Sequence, residues 1–493
     1  MSFEYKSKSE SLYHRYEDSL FCVWYITRNG KKTHRVSGKG EKIMYKNLVP
    51  LSDSVLATVK DGSMTDTIGN IPVSGRILLK GGHIIDPKNN LDQEGDILIA
   101  EGLIAEVGQD IHVEKGDKVI NCSGLLVVPG LIDMHLHLGD LFEVTTEPIF
   151  GAARDGVTLG LSPGAGNTFM APSLLGAEVD HGVPINLGVY LGAANVLGTR
   201  LNEDELIRMF KGELDAETMS EKMTRNSITN TTAALTVGIK DHMGHFIMSD
   251  ENIEEIFRIT SEAKLLYMSH TQDPEHAERL AALSKGRPLH LAHATAAGCG
   301  THMGAAEGMK RVLDLVGGNI TAEFVTTMLR SGHGSREGLQ LPEESQKLAY
   351  DALSSGKVKI LISDGQNEAT MKGFGDTRDD IPCIIELAEM GVLSLSDAVA
   401  CMTTNPAELF AERTGNNWWT EKVGHLGKGA LANVTVIDKD DKLATYTIVN
   451  GQIVSFENRI VRRNGGAGGW VSKFGMVRRT GVGDLCMFSY QKD

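Results

Sequence analysis

Residues 129–140 read PGLIDMHLHLGD, an apolar run that carries Asp133, His135 and His137 at alternate positions. In an extended strand, side chains two apart share a face. The pattern therefore predicts one face with a carboxylate and two imidazoles, and an opposite face of Ile132, Met134, Leu136 and Leu138. Other apolar runs also close on reactive residues. Lys240 ends TVGIK, His270 ends LLYMSH, His293 lies in LHLAHAT and Asp364 ends KILISD. Imidazole nitrogen and carboxylate oxygen are the donors that zinc and similar divalent ions prefer. Each residue alone has an ordinary explanation, since strand histidines can be hydrogen-bonded internally and Asp before Gly commonly starts a loop. Their shared place at the ends of separate runs makes them a candidate metal centre. His290 competes with His293 on one run; three residues apart, they cannot share a strand face, and His293 is preferred as nearer the C-terminal end. Lys240 is either a solvated strand end or a functional amine. Burial disfavours an ammonium, and a neutral amine can react with carbon dioxide to give a carbamate that bridges two cations.

Positioning these groups requires a scaffold. Eight apolar runs are candidate strands: GLIDMHLHL, GVTLGLSPG, PINLGVYLG, ALTVGIK, KLLYMSH, PLHLAHAT, NITAEFV and VKILISD. Amphipathic stretches separate most of them. In residues 249–263, Ile253, Ile256 and Ile259 step by three and Phe257 follows Ile253 by four, one face of a helix. Alternating strands and helices over 126–415 predict an α/β fold, a (β/α)8 TIM barrel, whose chemistry gathers at the C-terminal ends of its strands. Short β-rich runs on both sides, in 76–125 and 416–456, predict one small β-sandwich domain built from both flanks. The N-terminal extension, 1–75, is aromatic-rich, and its LFCVWYIT segment has strand-like composition. A C-terminal extension occupies 457–493.

Bulk composition narrows the class. The chain has 493 residues, 41% hydrophobic and 23% charged, as a globular enzyme does. A net charge of −15 argues against nonspecific nucleic-acid binding. No apolar run reaches the ~18 residues of a membrane span, and the first residues lack a secretory apolar core. The 6 cysteines never form a C-x-x-C pair, as expected of reduced thiols in a cytoplasmic protein. Both termini are more basic than the middle, which suggests docking on the chain's own body or on another subunit. A homo-oligomer, dimer or tetramer, is expected.

On these residues the chain resembles the amidohydrolase superfamily of metal-dependent hydrolases. PGLIDMHLHLGD matches its first barrel strand, and the β-rich flanks match its sandwich. NPAELFA, VGHLGKGALANVTVIDKD and TIVNGQIV match the segment that leaves the barrel for that sandwich. The resemblance covers residues 76–456. Below that level VGIKDHMGH is similar to the lysine segment of isoaspartyl dipeptidases, and PINLGVYLGAANVLG to D-aminoacylases; dihydroorotases and hydantoinases are also near in motif. The resemblance implies two divalent ions, zinc by default with manganese, iron or cobalt as alternatives. His135, His137 and Asp364 would hold one, His270 and His293 the other, and carboxylated Lys240 would bridge them. It further implies hydrolysis of an amide-type C–N bond in a small molecule, cyclic or linear, by a metal-bridged hydroxide, with Asp364 as general base and then acid. Glu143 and Arg330, on loops at the barrel mouth, are candidates for binding a substrate amine and carboxylate. Two departures stand out. DHMG follows the lysine where the dipeptidase pattern has an arginine, and Asn433 stands where an aspartate is usual. One alternative is a deaminase with a single metal, using Asp273 of HTQD as its acid. A second is a non-catalytic scaffold, and a phosphotriesterase-like activity is a third. No motif identifies the substrate.

Overall fold

The structure is a computed structural model that describes residues 45–47, 75–138, 147–163, 167–242, 247–335, 338–365, 373–462, 466–477 and 490–492. The LFCVWYIT segment and nearly all of the N-terminal extension lie outside the described residues.

Eight strands follow in chain order: Leu131–Asp133, Val157–Ser162, Asn186–Gly192, Gly238–Asp241, Leu266–His270, Leu289–Ala292, Ile320–Val325 and Ile360–Ile362. Each pairs in parallel with its neighbour in sequence. A bridge from Leu136 to Gly365 joins the first segment to the eighth, which closes the (β/α)8 barrel. Strand alternation sorts the side chains into two layers. Leu265, Tyr267, Leu289, Leu291, Phe324 and Leu361 pack in one cluster with the helix residues Ile253, Ile256 and Phe257. Leu266, Met268, Ala292, Val325, Ile360 and Ile362 form a second cluster with Phe410 and Trp419. The helix Asp250–Ala263 shows how the outer layer is built. Ser249 caps it by accepting the Asn252 N–H at 3.3 Å, and Ile253, Ile256, Phe257 and Ile259 are fully buried. Each such side chain contributes about 1.5–3 kcal/mol on leaving water.

The first strand departs from its sequence pattern. It ends at Asp133, and the chain bends at Met134 and His135. The single extended face expected for Asp133, His135 and His137 therefore does not form. The cause is local: the Asp133 carboxylate accepts the His135 backbone N–H at 3.1 Å, a bond that competes with strand pairing. It also accepts the hydroxyl and, at 3.3 Å, the N–H of Ser363, which ties the first strand to the eighth.

Both flanks of the barrel join in one further sheet. Its order is 459–460, 452–456, 443–449, 434–438, 126–129, 77–86, 91–100 and 103–108, with 118–121 beside 77–86. The seam between flanks is antiparallel, Pro129 opposite Val434 and Leu126 opposite Ile437. At that seam Asn433 accepts the Asn450 N–H at 2.8 Å, a structural role that an amide fills. The sheet thus takes in 126–129 and 459–460, a few residues past the limits drawn from the sequence. Trp470–Ser472, from the C-terminal extension, runs parallel to the third barrel strand with Trp470 opposite Leu187, and forms a hairpin with Gly475–Val477. Tyr45–Asn47 pairs antiparallel with Tyr490–Lys492. Among the described residues no helix is long and apolar enough to cross a membrane.

Candidate active site

The six sequence-selected residues converge at the C-terminal ends of five barrel strands. His135 and His137 follow the first, Lys240 lies in the fourth, His270 ends the fifth, His293 follows the sixth and Asp364 follows the eighth. His135, His137, Lys240, His293 and Asp364 are buried, and His270 is partly so. Asp364 Oδ1 lies 3.0 Å from His135 Nε2 and 3.2 Å from His137 Nε2. Ligand atoms of these three residues all lie within 4.8 Å of one another. The imidazole centroids of His270 and His293 are 4.5 Å apart, and that of His293 is 5.1 Å from His135. One small buried volume thus gathers four imidazoles, a carboxylate and an amine.

Backbone geometry turns two of these side chains into place. His293 has φ +36° and Asp364 φ +48°, in the left-handed region that costs a non-glycine residue about 1 kcal/mol or more. Such strain persists only where the surroundings fix it. At Asp364 they do: Oδ2 accepts the Phe374 N–H at 2.9 Å while Oδ1 faces the two histidines.

Charge follows from the packing. Burial pushes the Asp364 carboxyl up, but His135 and His137 outweigh it and hold the group well below the usual carboxylate range. Burial, reinforced by Lys240, lowers His270 to about 3, and burial with His270 lowers His293 further from its ordinary value. These two imidazoles are neutral at pH 7, the form in which a ring nitrogen can donate to a metal. The donor set fits divalent ions of the zinc type, two or three imidazoles with a carboxylate. Nδ1 of both His270 and His293 is buried without a hydrogen-bond partner among the described residues, as expected of nitrogens reserved for a ligand.

Other predicted residues fall elsewhere. Glu143 lies outside the described residues. Arg330 faces Asp379 and, at 2.8 Å, Glu386, so its guanidinium is engaged in an ion-pair network. Asp273 caps the helix Pro274–Ser284 by accepting the Glu275 N–H at 3.0 Å. Three residues near the centre were not singled out from the sequence. His242 lies with its ring 5.4 Å from that of His270, and Phe374 with its ring 4.9 Å from that of His293. Glu323 is fully buried in the seventh strand against His135 and His290. For Glu323 a signal existed, a carboxylate amid the apolar run NITAEFV; for Phe374, on a loop, none did.

The sequence model of the amidohydrolase family matches residues 126–456. A dihydroorotase of Trichlorobacter lovleyi is 25% identical over 399 residues, 73% of this chain and 89% of the relative. Among solved structures, a D-hydantoinase matches with TM-score 0.60 and 18% identity, covering 81% of this chain and 100% of its own. A β-aspartyl dipeptidase from Fervidobacterium islandicum, solved with a β-Asp-Leu dipeptide, gives TM-score 0.55 and 15% identity, covering 80% and 100%. At these identities the structural matches speak to the fold.

Proposed function

The chain belongs to the amidohydrolase family, hydrolases of amide-type C–N bonds other than ordinary peptide bonds, and on that premise we propose that it opens the ring of a cyclic amide or imide. The constellation His135–His137–Lys240–His270–His293–Asp364 at one barrel mouth, all buried but the partly buried His270, carries the reading. The cyclic substrate is favoured by the dihydroorotase relative, whose name denotes a cyclic amide. His135, His137 and Asp364 would hold one divalent ion and His270 and His293 a second, with Lys240, carboxylated, between them; zinc is the proposed metal.

Such ions lower the pKa of water toward ~7 and polarise a carbonyl. The protein's own groups supply the rest. Asp364, held ionised by its histidine neighbours, accepts the proton of the attacking water and returns it to the leaving nitrogen. The Phe374 N–H fixes the second oxygen of that carboxylate, so the proton is handled at a defined position. Asp133 holds the His135 backbone, and with it the approach of that ring.

The test is a screen of metal-loaded protein against five- and six-membered cyclic amides, N-acyl amino acids and β-aspartyl dipeptides, with ammonia release followed in parallel. Ring opening without ammonia is expected. Turnover confined to linear amides, or release of ammonia, would overturn the cyclic-amide reading. In Lys240→Ala, metal content is expected to fall from about two ions per chain.

A further inference from the structure

Glu323 occupies a position from which it controls His135. It lies in the seventh barrel strand, where Ala322 and Phe324 pack into the outer cluster. Glu323 therefore faces the barrel interior, and it is 0% exposed. Its Oε1 faces His135 Nδ1 and also accepts the His293 backbone N–H at 3.2 Å. Its Oε2 lies 3.0 Å from His290 Nε2, and His290 Nδ1 lies 2.8 Å from the Thr321 hydroxyl. One carboxylate thus joins the first, sixth and seventh strands directly below the candidate metal centre.

We propose that Glu323, braced by His290, is the positioning residue that prepares His135 as a metal ligand; the inference rests on the metal-centre reading above. A carboxylate can only accept, so the hydrogen of His135 resides on Nδ1. That leaves the lone pair on Nε2, the nitrogen grouped with His137 and Asp364. The same contact fixes the ring's rotation and, through the negative charge, makes Nε2 a stronger donor. His290 has a matching task. Glu323 Oε2 can only accept, so His290 presents its Nε2–H to it and keeps the carboxylate from rotating away. The bond to the His293 N–H extends the control to a second candidate ligand, since it helps fix a residue whose φ is strained. Two histidines three apart, one in the sixth strand and one just past its end, thus serve one centre at two depths: His293 at its rim and His290 beneath it.

The experiment measures metal binding directly. Metal-free wild-type, Glu323→Gln, Glu323→Asp and His290→Asn proteins are titrated with zinc against a competing chelator, and with cobalt(II) to read the visible ligand-field bands. Thermal melts of the metal-free forms run alongside. Glu323→Gln is expected to bind about 10–100-fold more weakly and to shift the cobalt bands, with partial recovery in Glu323→Asp and a smaller loss in His290→Asn. Wild-type affinity and an unchanged cobalt spectrum in Glu323→Gln would overturn the proposal, as would a loss confined to the metal-free melt. If Glu323→Gln fails to fold, Glu323→Asp and His290→Asn decide by the same criteria. A wild-type chain that takes up no divalent ion would overturn the metal-centre reading itself, an outcome distinct from failure of the Glu323 role alone.

Discussion

At the scale of single residues, the site is a set of groups held in states they would not choose in water. His270 is the clearest case. Burial lowers its pKa to about 3, whereas the unfolded chain protonates it near its ordinary 6.5. Between those values the unfolded state binds the proton and the folded state does not. Stability from this group is therefore present above about 6.5 and is lost as pH falls, at about 1.4 kcal/mol per pH unit. His135 works the other way. Burial lowers its pKa, but Glu323 and Asp364 outweigh it and raise the value, so His135 favours folding at lower pH. Comparing variant with wild type cancels that contribution. The metal-free His270→Asn protein is expected to show a shallower fall in Tm between about pH 7 and 5 than the wild type. Asp364→Asn is expected to lose about 10²–10⁴ in turnover, read as kcat on whichever cyclic amide is hydrolysed. The six candidate ligands were legible only as a set: each alone has an ordinary explanation, but all lie at the ends of separate apolar runs. The role of Asp133 was half legible: its place was visible, but its bond back to the His135 N–H, which ends the strand, is a conformational choice that alternation does not encode. Arg330 shows the opposite failure. A lone arginine after a strand reads as a free cation, while its partners Asp379 and Glu386 lie 49 and 56 residues away in sequence.

At the scale of elements, the barrel was legible because each strand is a short apolar run broken by glycine or a helix start. What the runs do not disclose is how closely neighbouring strands must approach. Gly238, at the start of the fourth strand, shows the constraint. A Cβ there would lie 2.3 Å from the Leu266 carbonyl oxygen and 2.8 Å from the Tyr190 ring. The first obstacle is backbone and cannot rotate away. Gly238 pairs with both Tyr190 and Leu266, so relief requires the fourth strand to separate from its neighbours. That strand and the next carry Lys240 and His270. Gly238→Ala is therefore expected to cost about 1–3 kcal/mol in denaturant unfolding and to lower metal content as well. Full metal content with reduced stability would show that the strain is absorbed below the site. The same element scale explains why His290 and His293 serve together. A regular strand would set them on different faces, but the sixth strand ends at Ala292 and His293 turns into a left-handed conformation. The preference for His293 as the rim residue follows from strand direction alone; the buried partnership of His290 with Glu323 depends on a neighbouring strand, which a single run cannot show.

At the scale of the whole molecule, the barrel's third strand takes an added partner from the far end of the chain. The resemblance to known hydrolases ends near residue 456, and the glycine-rich stretch beyond it carries little periodicity, so nothing local announced where it goes. In the structure this segment is bound at both of its faces. Ala467 and Gly468 donate their N–H groups to the Val183 carbonyl, each at 2.9 Å, and the Leu187 N–H donates to the Gly469 carbonyl at 2.9 Å. Lys473 donates its backbone N–H to Thr236, just before the fourth strand. Asn450, on a turn of the second sheet, donates to both Asn186 of the barrel and the Ala467 carbonyl, each at 2.8 Å, so one buried amide links sheet, barrel and C-terminal segment. Gly468 lies so close to the barrel that a Cβ would fall 1.8 Å from the Ile185 carbonyl oxygen. Between these anchors Trp470 is 1% exposed and packs with Val183, Leu187 and Val189. The third strand gives part of its edge to this segment and part to the fourth strand, with Leu187 opposite Trp470 and Tyr190 opposite Gly238. The segment is thus built into the barrel beside the third strand, and its loss should be felt in the stability of the barrel. Trp470→Ala is expected to destabilise the protein by about 3–5 kcal/mol, measured by chemical unfolding, with the metal-binding residues untouched. A Trp470→Ala protein with wild-type stability would show instead that the segment is an ornament laid on a barrel already complete.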